Sequence, residues 1–130
     1  MQTISYGKNH RRIRSKREKI TASFDTGSER SYFKEGSLPE PLACQEIDPF
    51  NVGIGGKAHT IKERCSIRSK IKDLGFDFSA HPVADLGKVD EKEVDVLIGS
   101  LTMEEWNIKL DPDKRKLDLR GLKKREFTEF

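Results

Sequence analysis

A chain of 130 residues is one domain long, and with 34% hydrophobic against 36% charged residues its core must be small and its surface heavily charged. The formal net charge of +3 is mild and does not by itself imply a nucleic-acid partner. No apolar run reaches the roughly eighteen residues of a membrane span, and the N-terminus turns basic by His10 without a secretory apolar stretch, so a cytoplasmic location is expected.

From Ile4 to Lys19 the sequence is basic and interrupted by Gly7 and Asn9, which predicts a turn between two strands. The run from His10 to Lys19 holds no aromatic residue to stack on bases, and a charged edge strand or hairpin accounts for it. Ile20-Thr21-Ala22-Ser23-Phe24 alternates apolar and small or polar residues, the period of a half-buried strand, and runs directly into the turn-forming Asp25-Thr26-Gly27-Ser28. A short strand resumes at Ser31-Tyr32-Phe33, before a loop marked by Gly36, Pro39 and Pro41. Ile47 to Val52 predicts a strand climbing into Gly53-Ile54-Gly55-Gly56, and the alternating stretch from Ala58 to Ile71 completes a hairpin signal.

Gly75 to Phe78 begins another strand, which His81-Pro82-Val83-Ala84 extends as a sheet edge because proline cannot donate to a ladder. Val94 to Gly99 is a buried-strand candidate, and Ser100 to Trp106 a helical turn capped by Ser100 or Thr102. Ile108, Leu110, Leu117 and Leu119 flank Asp111-Pro112-Asp113-Lys114, a closing hairpin. The expected units are a basic region at 1–19, a domain at 20–122 and a charged tail at 123–130. Cys44 and Cys65 are not a ligand-spaced pair and read as reduced, partly buried thiols. His10, His59 and His81 stand apart from any Cys or acid at ligand spacing, so no metal or cofactor is expected.

Three segments bear on chemistry. Phe24-Asp25-Thr26-Gly27-Ser28 ends a strand in an acid on a tight turn, where backbone N–H groups can hold the carboxylate and glycine permits close approach. Val52-Gly53-Ile54-Gly55-Gly56 makes a hairpin tip able to close over a ligand and exclude water; it lacks the spacing of a phosphate-binding loop. Val96-Leu97-Ile98-Gly99 is an apolar strand leading into a helix. Singly these are a turn, a hairpin and a core strand; their order within one short chain carries the information. In that order, over about Ile20 to Leu119, the sequence resembles the retropepsin-like aspartic proteases.

The resemblance implies an all-β fold, a small closed β-barrel with one short helix near the C-terminus. It implies that Asp25 is the catalytic aspartate, that Thr26 grips the partner chain's loop, and that Gly27 approaches the substrate backbone, with Ser28 completing the loop. Gly53, Ile54, Gly55 and Gly56 would form the tip of a mobile flap, and Leu97, Ile98 and Gly99 the strand that braces the active-site loop. Aspartic protease chemistry needs two carboxylates sharing one proton, and the chain carries a single Asp-Thr-Gly triplet. The resemblance therefore implies a two-fold homodimer that hydrolyses protein or peptide substrates with an activated water, with no nucleic acid or membrane involved. Oligomerisation also suits a thin core.

Ser28, where many retroviral members have alanine, is expected to donate to the paired carboxylates and lower their pKa. The pattern departs from the family in one place. Retroviral members carry an arginine directly after the strand glycine, whereas Ser100 and Leu101 follow Gly99, leaving Arg30 beside Glu29 as the substitute cation. Two other readings compete: a non-catalytic dimerisation or peptide-binding module on the same fold, and a nucleic-acid-binding β-barrel using Arg11 to Lys19.

Overall fold

The computed structural model describes residues 2–6, 19–39, 42–111, 113 and 116–128. The basic run from His10 to Glu18 lies outside them, as do Gly7, Asn9, Pro41, Pro112 and Lys114. The architecture is mostly β, with two short helices. Strands β1 (Gln2–Tyr6), β2 (Lys19–Phe24), β3 (Tyr32–Lys34), β4 (Ala43–Ile54), β5 (Lys57–Ile71), β6 (Leu74–Val83) and β9 (Val96–Ile98) form one sheet in the order β1-β2-β9-β3-β6-β5-β4. Two small hairpins, β7 (Lys88–Val89) with β8 (Lys92–Glu93) and β10 (Lys109–Asp111) with β11 (Lys116–Asp118), stand outside it. The second is the closing hairpin that the leucines around Asp111 predict.

One feature of this order positions everything else. β2 and β3 are consecutive, yet they do not pair. The late strand β9 lies between them, parallel to β2 through Ala22↔Val96, Ser23↔Leu97 and Phe24↔Ile98, and antiparallel to β3 through Tyr32↔Leu97 and Phe33↔Val96. The loop from Asp25 to Ser31 must therefore cross the end of β9, where the chain leaves for helix α1 (Ser100–Glu105).

The expected closed barrel does not form. β4 ends the sheet without a second neighbour among the described residues, and β1 meets β5 through only Ser5↔Lys70 and Tyr6↔Ser69. β4 and β5 run 12 and 15 residues whereas β3 and β9 run three, and the two-residue β1–β5 contact leaves the ring without the continuous, regularly staggered ladder that a closed barrel carries. β6 is also interior, between β3 and β5, and not the edge that Pro82 suggests. The β5 ladder stops at Cys65↔Ala80, and the parallel bonding to β3 uses the His81 N–H and the Val83 carbonyl. Pro82 thus lacks its N–H on the side that is already unpaired.

Alternation along the short strands sorts side chains into two cores. Phe33, Val96 and Ile98 join Ile20, Ile67, Phe76 and Phe78 in the larger core, while Tyr32 and Leu97 join Ile61, Val83, Leu86 and Val94 in a smaller one beneath the β4–β5 arm. The stretch expected to be a charged tail carries most of a second helix, α2 (Arg120–Thr128), whose Leu122 is fully buried in the larger core. Its apolar signal is Leu122 and Phe127 among mostly basic residues, five positions apart and too sparse to show a helical period. Cys44 and Cys65, expected as thiols, form a disulfide between directly opposed residues of β4 and β5. No helix among the described residues is long and apolar enough to cross a membrane.

Leu122→Ala leaves a cavity under α2. It is expected to cost about 2–5 kcal/mol of stability, read as a lowered urea midpoint with an unchanged slope. A loss within experimental error would mean that α2 is not part of the cooperative unit.

Candidate active site

Asp25 follows β2 directly, and the backbone fixes it there. Its N–H donates to the Ile98 carbonyl at 2.9 Å, extending the β2–β9 ladder by one bond. The chain then turns, with the Ser28 N–H donating to the Asp25 carbonyl at 3.2 Å. The Gly27 N–H donates to the Asp25 carboxylate oxygen Oδ1 at 2.8 Å, so the turn itself holds the acid. Asp25, Thr26 and Gly27 are all exposed in the single chain.

Beyond the turn the loop docks on the start of α1. The Ser28 carbonyl accepts the Ser100 N–H at 2.7 Å, and the Glu29 carbonyl accepts the Leu101 N–H at 3.1 Å. Two of the donors that a helix leaves free at its first turn are thus satisfied by the loop. This replaces the side-chain cap expected from Ser100 or Thr102: the N-cap is Gly99, and no side chain caps the helix. Gly99 has no alternative. A Cβ there would stand 2.7 Å from the Glu29 carbonyl oxygen and press on the Arg30 carbonyl as well. The Gly99 N–H in turn donates to the Ser31 hydroxyl oxygen at 2.9 Å, and that hydroxyl lies 3.0 Å from the Thr102 hydroxyl in a buried pair.

The flap is the β4–β5 hairpin. Gly55 and Gly56 form its two-residue turn with φ of +58° and +80°, a left-handed pair that side chains resist and that suits the twist of a hairpin. Below the tip the register slips between Glu46 and Phe50, where Ile47-Asp48-Pro49 faces a single residue of β5. Phe50, just above the slip, receives the Arg30 guanidinium over its ring at 4.5 Å. Burial pushes the pKa of the Tyr32 phenol up, and the Arg30 charge partly offsets the rise. Arg30 therefore ties the acid's loop to the base of the flap.

A cavity of about 700 Å³ lies between these parts. Asp25, Gly27 and Ser28 line one side and Gly53, Ile54 and Gly55 of the flap line the roof, with Leu97, Tyr32 and Val94 supplying apolar surface. Gly87 to Val89 form the outer wall. Of the residues singled out from sequence, Thr26, Gly56, Ile98 and Gly99 do not line this space; Ile98 and Gly99 act from behind, through the backbone contacts above. Asp95, another acid of this region, is 2% exposed, and its carboxylate accepts the Thr21 N–H at 2.9 Å, fixing the start of β9 on β2. Among the described residues no group of three or more His, Cys, Asp or Glu could hold a metal ion. His81 is buried, with Nδ1 2.7 Å from the Glu63 carbonyl oxygen.

Two expectations need correction. The Ser28 hydroxyl donates to the Arg30 carbonyl at 2.9 Å, so its proton is committed within the loop and not directed at the Asp25 carboxylate. Arg30 does not take up a place against Glu29, because its guanidinium lies over the Phe50 ring.

The comparisons with known proteins add nothing further. The chain matches no family model and no curated protein.

Sequence reasoning missed Ser31, Thr102 and the outer wall. Ser31 and Thr102 are 71 residues apart, and no local pattern links them. The wall had a readable signal: Asp90-Glu91, between Val89 and Lys92, turns with both residues at positive φ, and Asp is among the residues that tolerate that region.

Ser31→Ala removes the acceptor for the buried Gly99 N–H and the partner of Thr102. The expected loss is about 1–3 kcal/mol in stability, with Ser31→Thr losing less because it keeps the hydroxyl. Equal losses in the two variants would mean that side-chain volume, and not the hydrogen bond, matters there.

Proposed function

We propose that this chain is one half of a homodimeric aspartic endopeptidase of the retropepsin-like kind, with one Asp25 from each copy forming the catalytic pair. The observation that carries the reading is the cavity that sets an exposed, backbone-held aspartate beneath a glycine-tipped hairpin. Aspartate chemistry of this type asks little else of the protein. It needs a carboxylate fixed in position, a roof that excludes water, and a channel for an extended peptide.

One carboxylate is not enough. Two held in contact cannot both ionise, so one takes a proton from water as general base while the other, still protonated, donates to the carbonyl oxygen of the scissile amide. Hydroxide equivalent adds to the carbonyl carbon, the tetrahedral species collapses, and the amine leaves with a proton. A second copy on a two-fold axis supplies the missing acid. The exposure of Asp25 and Thr26 in the single chain suits such a contact, because the same polar loop from each copy can face its twin.

Asp25→Asn is expected to lower peptide cleavage by about a thousandfold or more while leaving the unfolding midpoint close to wild type. A mass-spectrometric search for cuts in a peptide mixture from about pH 3 to 7 reads the activity, with sedimentation establishing that the sample is dimeric. Cuts that persist in Asp25→Asn, or none from a dimeric wild type, would contradict the reading. The second outcome would favour a peptide-binding or dimerisation module.

A further inference from the structure

The flap turn and the outer wall of the cavity are joined within one chain by an ion pair. Lys57, the first residue after the Gly55-Gly56 turn, places its Nζ 3.3 Å from Oδ2 of Asp85, on the loop that follows β6. Asp85 is itself held. Its other oxygen, Oδ1, accepts the Gly87 N–H at 2.8 Å, and Gly87 takes a φ of +78° that places it for this bond. The Gly87 N–H first, and Lys57 second, hold the Asp85 carboxyl below the ordinary carboxylate range. Gly87, Lys88 and Val89 line the wall, and Gly53, Ile54 and Gly55 line the roof. Neither Lys57 nor Asp85 lines the cavity itself, but Lys57 follows the roof residues and Asp85 precedes the wall residues in the chain, so the pair bridges roof to wall from outside the space.

We propose that Lys57 and Asp85 are positioning residues, a clasp that biases the flap tip toward the outer wall and that an entering peptide must part. The proposal rests on the reading of the cavity as a peptide-cleaving site, but the clasp is a property of the chain whether or not peptides are cut. Its weakness fits the task. The two side chains stay 68% and 45% exposed, and exposed pairs contribute little and are screened by salt. A clasp of this size shifts the balance of flap positions without locking it, so that peptide binding can open it.

Hydrogen exchange of the 130-residue chain, read by mass spectrometry on peptides covering residues 50–60, tests the clasp. Lys57→Met and Asp85→Asn are expected to speed flap exchange about two- to fivefold, Lys57→Arg to leave it near wild type, and raised salt to move wild type toward Lys57→Met. Asp85→Asn keeps the oxygen that accepts the Gly87 N–H, so the wall loop is preserved. Exchange at the wild-type rate in Lys57→Met and Asp85→Asn would overturn the proposal. So would an Arg variant as fast as the Met variant, or acceleration spread over β3, β6 and β9. None of these readouts involves catalysis. Failure of the protease reading appears separately, as wild-type dimers that cut nothing while the clasp variants still change flap exchange.

Discussion

The fold depends on one close passage of backbone over backbone. Because β9 is inserted between β2 and β3, the loop that connects them must cross the end of β9 at the point where the chain leaves for α1. Buried N–H and C=O groups at such a crossing all need partners. They find them in one another: Asp25 N–H on the Ile98 carbonyl, the first N–H groups of α1 on the Ser28 and Glu29 carbonyls, and Gly99 N–H on the Ser31 hydroxyl. Only glycine fits at position 99, since any side chain would run into the Arg30 and Glu29 carbonyls of the crossing loop. The position of Asp25 is thus set by main-chain contacts, with its carboxylate given a further bond by Gly27. Such a support lets an acid stay in place without help from packing of its own side chain.

The flap is built on the opposite plan. Its outer arm stands on a two-residue turn and a register slip, packs on the smaller core, and is tied to the acid's loop through Arg30 and Phe50. A floor held by main-chain bonds and a hairpin roof around one cavity support the proposed peptide-cleaving function, and the proposed pairing of two chains would add the second carboxylate that the chemistry demands.

How much of this was legible in the sequence depends on how local each signal was. The Asp25 turn, the Gly55-Gly56 tip and the Val96-Leu97-Ile98-Gly99 strand were all readable, because turn chemistry and apolar runs act over a few residues. The disulfide was not. Extending the hairpin register straight down from its tip sets Cys44 opposite Ile67; only the slip at Ile47-Asp48-Pro49 brings it opposite Cys65. Pro49 inside a strand was the available clue, since proline within a ladder marks a bulge. The interior place of β6 was misjudged for a related reason: Pro82 forbids a bond on one side only, and that side had already lost its neighbour. The two-residue β1–β5 contact is a long-range pairing that no composition or period reports, and the docking of α2 rests on buried Leu122, whose weight comes from tertiary packing.

The central claim is that the acid works in pairs across two chains, and mixing chains tests it most directly. Wild-type protein is titrated with Asp25→Asn protein at constant total concentration, after subunits have been allowed to exchange. If each site needs one Asp25 from each copy, activity falls with the square of the wild-type fraction, to about a quarter at an equal mixture. A linear fall, to about half at an equal mixture, would show that each chain acts alone and would contradict the account.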